Sequence, residues 1–215
     1  MQCSTDLAKL RDALLFRVGS LKLIVSPIHD ASDQESRRCL AFVTIELDNL
    51  IILGLRQYTK SSLLRSRTAA GSRITAMITP SSPEEAAAYI YRSLNSKAYA
   101  KMKSPRTISE KNEIVFRDPR SVDKVFRDYA TSNIANLNLA LSLNANVFSE
   151  AKICRHFFAH RTKNTYEAVR EFANRLGIIG AATPEHLLLR GRPGTGVRIL
   201  DGWLSDIENF FDLAT

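Results

Sequence analysis

Apolar residues recur at intervals of three and four along most of the chain, the spacing typical of amphipathic helices. The first such segment covers residues 4–25 and the second covers residues 33–64. Gly54 lies on the apolar stripe of the second segment, which indicates close packing against a neighbouring helix. The pattern therefore predicts two long helices, whose apolar positions are Leu7, Leu10, Leu14, Leu15, Val18, Leu21 and Val25 in the first and Val43, Leu47, Leu50, Ile51 and Tyr58 in the second.

Cap residues predict where several later helices begin. Ser82 is followed by Pro83 and two glutamates, which predicts a helix start and a helix that runs to about Lys101. Asp118-Pro119 begins another apolar-periodic segment, which we expect to be one helix up to the asparagines at 144–146. Between them, residues 103–119 have no clear period, and they either contain a short strand at 113–116 or form a mobile loop.

The last third of the chain also reads as helical. Residues 147–159 form one predicted helix, and Asn164 with Glu167 suggests a capping box for the next, which Gly177 should end. Residues 183–185 begin a short helix, and residues 198–213 form the last. The sequence therefore predicts an all-α protein, an antiparallel helical bundle with additional peripheral helices in a single domain over residues 1–215.

The charge balance favours an anionic partner. The chain has 30 Lys and Arg against 22 Asp and Glu, a formal net charge of +8. Stretches free of acidic residues run between Asp48 and Glu84, between Glu150 and Glu167, and between Glu185 and Asp201. Each such run alone is typical of a solvated face, but three of them indicate a surface for a polyanion, with nucleic acid ahead of a membrane surface.

Several function classes lack their sequence signals. No apolar segment suits a signal peptide or a membrane span, and the three scattered cysteines suit neither disulfides nor structural zinc, so we expect a cytoplasmic protein without membrane contact. The GRPGTG segment at 191–196 lacks the Lys and the preceding strand of a phosphate-binding loop. We therefore expect no cofactor.

The strongest chemical signal is Arg-His-Phe-Phe-Ala-His-Arg at 155–161. Histidine transfers protons near neutral pH, and arginine binds phosphate through paired hydrogen bonds. At about 100° per residue, His156 and His160 share a helix face, but Arg155 and His160 lie about 140° apart. They therefore converge only if the helix ends near His160 or if two subunits combine. No Glu follows His156 as a metalloprotease site requires, so we expect no metal, and a basic helix end without chemistry is the plainer alternative.

Residues 155–160 match the R-x4-H signature of the HEPN superfamily of α-helical ribonucleases and nucleic-acid-binding proteins, which this chain resembles loosely over residues 34–176. His156 fits the polar residue that often follows the Arg in that family. Glu46, Asn49 and Arg56 resemble the polar positions that some HEPN proteins place on an early helix, although Leu53 interrupts their stripe. Residues 65–118 look like an insertion relative to the family.

The resemblance implies a metal-independent endoribonuclease that works as a homodimer with a composite active site. It implies His160 as general base or acid, Arg155 as the phosphate-holding group, and supporting roles for His156, Glu46 and Asn49. Arg161, Asn164 and Arg56 are the implied RNA-binding residues. Such proteins are commonly toxins paired with an antitoxin or effectors of antiviral defence, which implies a regulatory partner. The alternatives are a non-catalytic helical module that binds nucleic acid or protein, and a plain interaction scaffold.

Overall fold

The computed structural model describes residues 6–102, 106–180 and 183–215. All regular structure in these ranges is helical apart from isolated β-bridges, so the all-α prediction is confirmed. A single 3₁₀ turn at Glu110–Asn112 accompanies the α-helices. The α-helices are α1 (Leu7–Val25), α2 (Gln34–Leu63), α3 (Pro83–Leu94), α4 (Ser96–Tyr99), α5 (Arg120–Asp128), α6 (Ile134–Ser142), α7 (Val147–His160), α8 (Lys163–Arg175), α9 (Pro184–Leu189) and α10 (Ile199–Ala214).

The described chain forms two compact units. The first contains residues 6–14, Ile52–Asn144 and Phe210–Thr215, and the second contains Leu15–Ile51 and Ala145–Asn209. Each of the long helices α1, α2 and α10 therefore contributes one part to each unit.

The first unit is built round the second half of α2. Tyr58 is fully buried there, and its hydroxyl donates to the carbonyl of Ala214 (2.8 Å) and accepts from Asn133 Nδ2 (3.1 Å). Gly54 lies one turn earlier, where an added Cβ would be 2.6 Å from Phe211 Cζ. The glycine predicted from the apolar stripe therefore does permit a close helix contact.

The core of the second unit centres on Trp203 of α10, which is 1% exposed and stacks against Phe172 with ring centroids 6.2 Å apart. The indole Nε1 donates to Glu150 Oε2 (2.8 Å), and the same carboxylate pairs with both terminal nitrogens of Arg192. Arg192 belongs to the Gly-rich turn, so this carboxylate ties the turn to α7 and α10.

The prediction of one helix from residue 118 to about residue 144 is wrong, because the structure contains two helices there, α5 and α6. Ala130 adopts a left-handed conformation (φ 47°), and the backbone N–H and hydroxyl of Thr131 both donate to the carbonyl of Phe126 (3.0 and 3.2 Å). The side chain of Asn133 then reaches into the core rather than continuing the helical turn. Residues 113–116 form no strand.

The starts of α3 and α9 are as predicted, with Ser82 and Thr183 as N-caps, and α8 ends just before Gly177, which has φ 71°. None of the helices described here combines the length and the apolar character needed to cross a bilayer.

Candidate functional site

Helix α7 carries the Arg155–Arg161 sequence, and its apolar face fixes how that sequence is presented. Ala151, Cys154 and Phe158 are buried at spacings of three and four, whereas Lys152, His156 and His160 are exposed. The N–H of Val147 donates to Asp206 Oδ2 (3.2 Å), so a carboxylate of α10 caps the start of α7. Burial is the main cause that raises the pKa of Asp206 above its ordinary value.

The helix ends directly after His160. Arg161 takes a left-handed conformation (φ 48°, ψ 40°), and its N–H donates to the carbonyl of Phe157 (2.7 Å). The helix predicted over residues 147–159 therefore ends within one residue of its predicted end.

His156 and His160 lie side by side at this end. Both residues are exposed, and their rings are stacked with centroids 6.0 Å apart and an interplanar angle of 22°. Lys152 is also exposed one turn before His156, so two imidazoles and an ammonium group follow one face of α7.

Arg155 points to a different neighbour. Its Nε lies 3.6 Å from Oδ2 of Asp48 on α2, an ion pair that is too long for a hydrogen bond. The Asp48 side chain is 1% exposed, whereas the Arg155 side chain keeps 26% of its surface exposed. The Nε atom is thus buried next to Asp48, while part of the Arg155 side chain remains accessible.

The end of α7 does not bring Arg155 and His160 to one point. His160 is itself still helical, so the two side chains keep their separation of about 140° round the helix axis. Of the two arrangements left open by the sequence, a helix end alone does not produce convergence.

The early-helix positions are divided between the two units. Glu46 and Asn49 lie in the second unit, where the Asn49 amide donates to Glu46 Oε1 (3.1 Å) in an exposed setting. Arg56 lies in the first unit, where its Nε is 3.2 Å from Glu113 Oε2. The same carboxylate accepts from Lys60 Nζ (2.9 Å). This part of the basic run around α2 is therefore paired internally.

Arg161 and Asn164 are both exposed and follow closely after the end of α7. The capping box predicted at Asn164 is wrong by two residues, because Thr162 is the N-cap of α8 and Thr165 completes the box. The Thr162 N–H donates to Thr165 Oγ1 (3.1 Å), and the Thr165 N–H donates to Thr162 Oγ1 (3.3 Å). Asn164 is consequently not used as the cap.

Asp48 is the site residue that the sequence reasoning missed. It lies one helical turn from Thr44 and Ile51 on the buried face of α2, so it is a charged residue on an otherwise inward-facing stripe. A buried carboxylate requires a compensating partner. The position of Asp48 on a buried stripe was the signal that it belongs to an ion pair, but the sequence does not show which cation pairs with it.

Two further features bear on the chemistry of this unit. Burial raises the pKa of the Cys154 thiol, which makes it a poor nucleophile near neutral pH. Among the residues that the structure describes, no three His, Cys, Asp or Glu side chains group as metal ligands do.

Comparisons of the chain with protein-family models, with curated proteins and with solved structures found no significant match.

Proposed function

We propose that this protein is a metal-independent endoribonuclease of the HEPN type, either a toxin or an effector of antiviral defence that a partner protein restrains. The observation that carries the proposal is the end of α7, where two stacked, exposed imidazoles follow directly on an arginine whose inner side is anchored. Proton-transferring groups and a phosphate-binding group are the components that RNA cleavage without metal requires.

Arg155 suits the phosphate-binding role because Asp48 pairs with its Nε and not with its terminal nitrogens. The carboxylate engages the guanidinium at Nε, and among the described residues the two terminal nitrogens make no hydrogen bond. Those N–H groups remain for the phosphate oxygens and for the charge that develops on them in the transition state.

In the proposed reaction the RNA 2′-oxygen attacks the adjacent phosphorus while the bond from phosphorus to the 5′-oxygen breaks. His160 of one subunit accepts the proton of the 2′-hydroxyl, Arg155 of the other subunit holds the phosphate, and the leaving 5′-oxygen takes its proton from water. The products are a 2′,3′-cyclic phosphate and a 5′-hydroxyl. A homodimer supports this scheme because Arg155 and His160 of one chain point in different directions. His156 stacks on His160 and orients it, while Arg161 and Asn164 are placed to bind the RNA backbone.

The test is cleavage of RNA in the presence of EDTA by the wild type, by His160→Ala and by His29→Ala. His29 is the matched control, since it is an exposed histidine outside α7. We expect the wild type and His29→Ala to cleave and His160→Ala to lose a factor of about 10² to 10⁴ in rate. Equal cleavage by all three would refute the role of His160, and loss of wild-type cleavage in EDTA would refute a metal-free reaction.

A second candidate function is a non-catalytic module that binds nucleic acid or a protein partner. The ion pair between Arg155 and Asp48 favours it, because it gives Arg155 a structural purpose. This module would bind RNA with a steep dependence on salt and without turnover. Growth arrest on expression that disappears in His160→Ala would decide against it.

A further inference from the structure

A shallow cleft lies between α8 and α9, directly beyond the end of α7. Its floor is apolar and is formed by Val169, Ala173, Pro184 and Leu187. Tyr166 also lines the cleft, which is open to solvent. Such a surface does not enclose a small molecule.

The rim of the cleft carries a positive charge. Arg170 lines it one helical turn after Tyr166, so the ring and the guanidinium lie on the same face of α8. Arg170 is exposed and, among the described residues, makes neither an ion pair nor a hydrogen bond. An apolar floor, an aromatic wall and an uncommitted cation form a combination that suits an unstacked nucleobase with its phosphate.

The cleft is continuous with the candidate site. The Tyr166 ring contacts that of Phe157, with centroids 6.1 Å apart and an interplanar angle of 54°. Phe157 follows His156 directly in α7, and Arg161 and Lys163 are exposed at the junction with α8. From His160 to Arg170 the chain therefore presents an imidazole, then exposed cations, of which Lys163 lies 3.8 Å from Glu167, and then the Tyr166 ring.

We infer that the cleft between α8 and α9 binds a base of single-stranded RNA next to the cleaved phosphate, with Tyr166 stacking on the base and Arg170 pairing with its phosphate. This inference rests on the proposed RNA substrate, and it makes unstacked RNA the substrate class. A protein segment is the competing occupant, but the unpaired Arg170 and the net charge of +8 favour an anionic ligand.

The experiment measures RNA affinity in the His160→Ala background, so that the RNA stays intact. The probes are a fluorescent eight-nucleotide uridine RNA and an RNA of the same length with abasic ribose at every position. We expect Tyr166→Leu to weaken uridine RNA binding by roughly 5- to 100-fold and to leave the abasic RNA unchanged, because stacking contributes about that much for each base.

Three variants sharpen the result. Tyr166→Phe retains the ring and should bind within about threefold of its parent. Arg170→Ala should weaken binding of both RNAs, because it removes a phosphate contact. Arg175→Ala is the matched control, since it is exposed on the same helix about 140° away, and it should weaken binding less than Arg170→Ala.

The outcomes separate this inference from the nuclease proposal. If Tyr166→Leu binds both RNAs as its parent does, or if neither RNA binds, the base-binding cleft is refuted. If base-dependent binding is lost in Tyr166→Leu although the wild type cleaves no RNA, the cleft stands and the nuclease proposal fails. A change in oligomeric state by sedimentation, with RNA affinity unchanged, would assign the cleft to a protein contact and also refute the inference.

Discussion

Arg155 and Asp48 join α7 to α2 through an ion pair in which the carboxylate is almost entirely buried and the guanidinium is partly exposed. Removal of the arginine takes away an ion-pair partner of a carboxylate that is almost inaccessible to water. We expect Arg155→Ala to lower the free energy of unfolding by about 1–3 kcal/mol, measured by urea denaturation. The double variant Asp48→Asn/Arg155→Ala should lose less than the sum of the single changes, because each single change already breaks the same ion pair. A loss within about 0.5 kcal/mol in Arg155→Ala, as for an ordinary surface residue, would contradict this.

The composite dimer predicts complementation between two inactive variants. In a heterodimer of Arg155→Gln and His160→Ala, one composite site carries both changes and the other carries neither. Mixing and reassociating the two inactive proteins should therefore restore cleavage, up to half the activity of the wild type per dimer. A mixture that remains inactive, although mass spectrometry shows the heterodimer, would mean that Arg155 and His160 do not act across an interface.

Gly54 should tolerate no side chain without a cost. A Cβ there would lie 2.6 Å from Phe211 Cζ and 3.1 Å from Leu14 Cδ2, and both of those side chains are fully buried. We expect Gly54→Ala to destabilise the protein by about 1–3 kcal/mol, since overpacking outweighs the gain in helix propensity. Gly19 is the control, because it is helical and nothing lies within 4 Å of its added Cβ. Gly19→Ala should stabilise by about 0.5–1 kcal/mol, and the reverse order in thermal unfolding would contradict the packing described.

Substitutions at Thr162 and Asn164 should affect stability differently, because only Thr162 caps α8. Thr162→Ala removes the hydroxyl that accepts from the Thr165 N–H, and we expect a loss of about 1 kcal/mol in unfolding free energy. Asn164→Ala should change stability by less than about 0.5 kcal/mol, because its side chain does not cap the helix. Asn164→Ala should nevertheless weaken RNA binding if Asn164 contacts the RNA sugar-phosphate backbone. A greater loss of stability in Asn164→Ala than in Thr162→Ala would overturn this assignment.

Asp206 gives the stability a defined dependence on pH. Burial raises its pKa in the folded state above the ordinary value of 3.8, so the folded protein holds a proton that the unfolded chain has already lost. The contribution of Asp206 to stability therefore falls as pH rises from about 4 through its folded pKa. Asp206→Asn keeps an acceptor for the Val147 N–H without the charge, so its stability relative to the wild type should improve between pH 4 and pH 7. Parallel urea titrations at the two pH values check this, and a constant difference would contradict it.

Local signals in the sequence located most helix ends. Ser82 and Thr183 stand directly before prolines, and Gly177 follows the last turn of α8, so each boundary is determined by its immediate neighbours. The break at Ala130 was not predictable in this way. Alanine favours a helix, and the left-handed turn there is stabilised by contacts of Thr131 and Asn133.

The candidate site was predictable as a location but not as an arrangement. The spacing of His156 and His160 predicted a shared face, which the stacked rings confirm. The partner of Arg155 was not predictable, because Asp48 lies 107 positions earlier and only the packing of α7 on α2 brings the two together. The cleft beside Tyr166 likewise depends on how α8 and α9 pack, which no spacing within either helix reveals.

Trp203 is the only tryptophan in the chain, and its indole is stacked on Phe172 and hydrogen-bonded to Glu150 in the core of the second unit. The first unit contains buried Tyr58 but no tryptophan. Intrinsic tryptophan emission is therefore a probe of the unit that carries α7 alone. Comparison of its unfolding curve with that of far-ultraviolet circular dichroism would show whether the two units melt together or in succession.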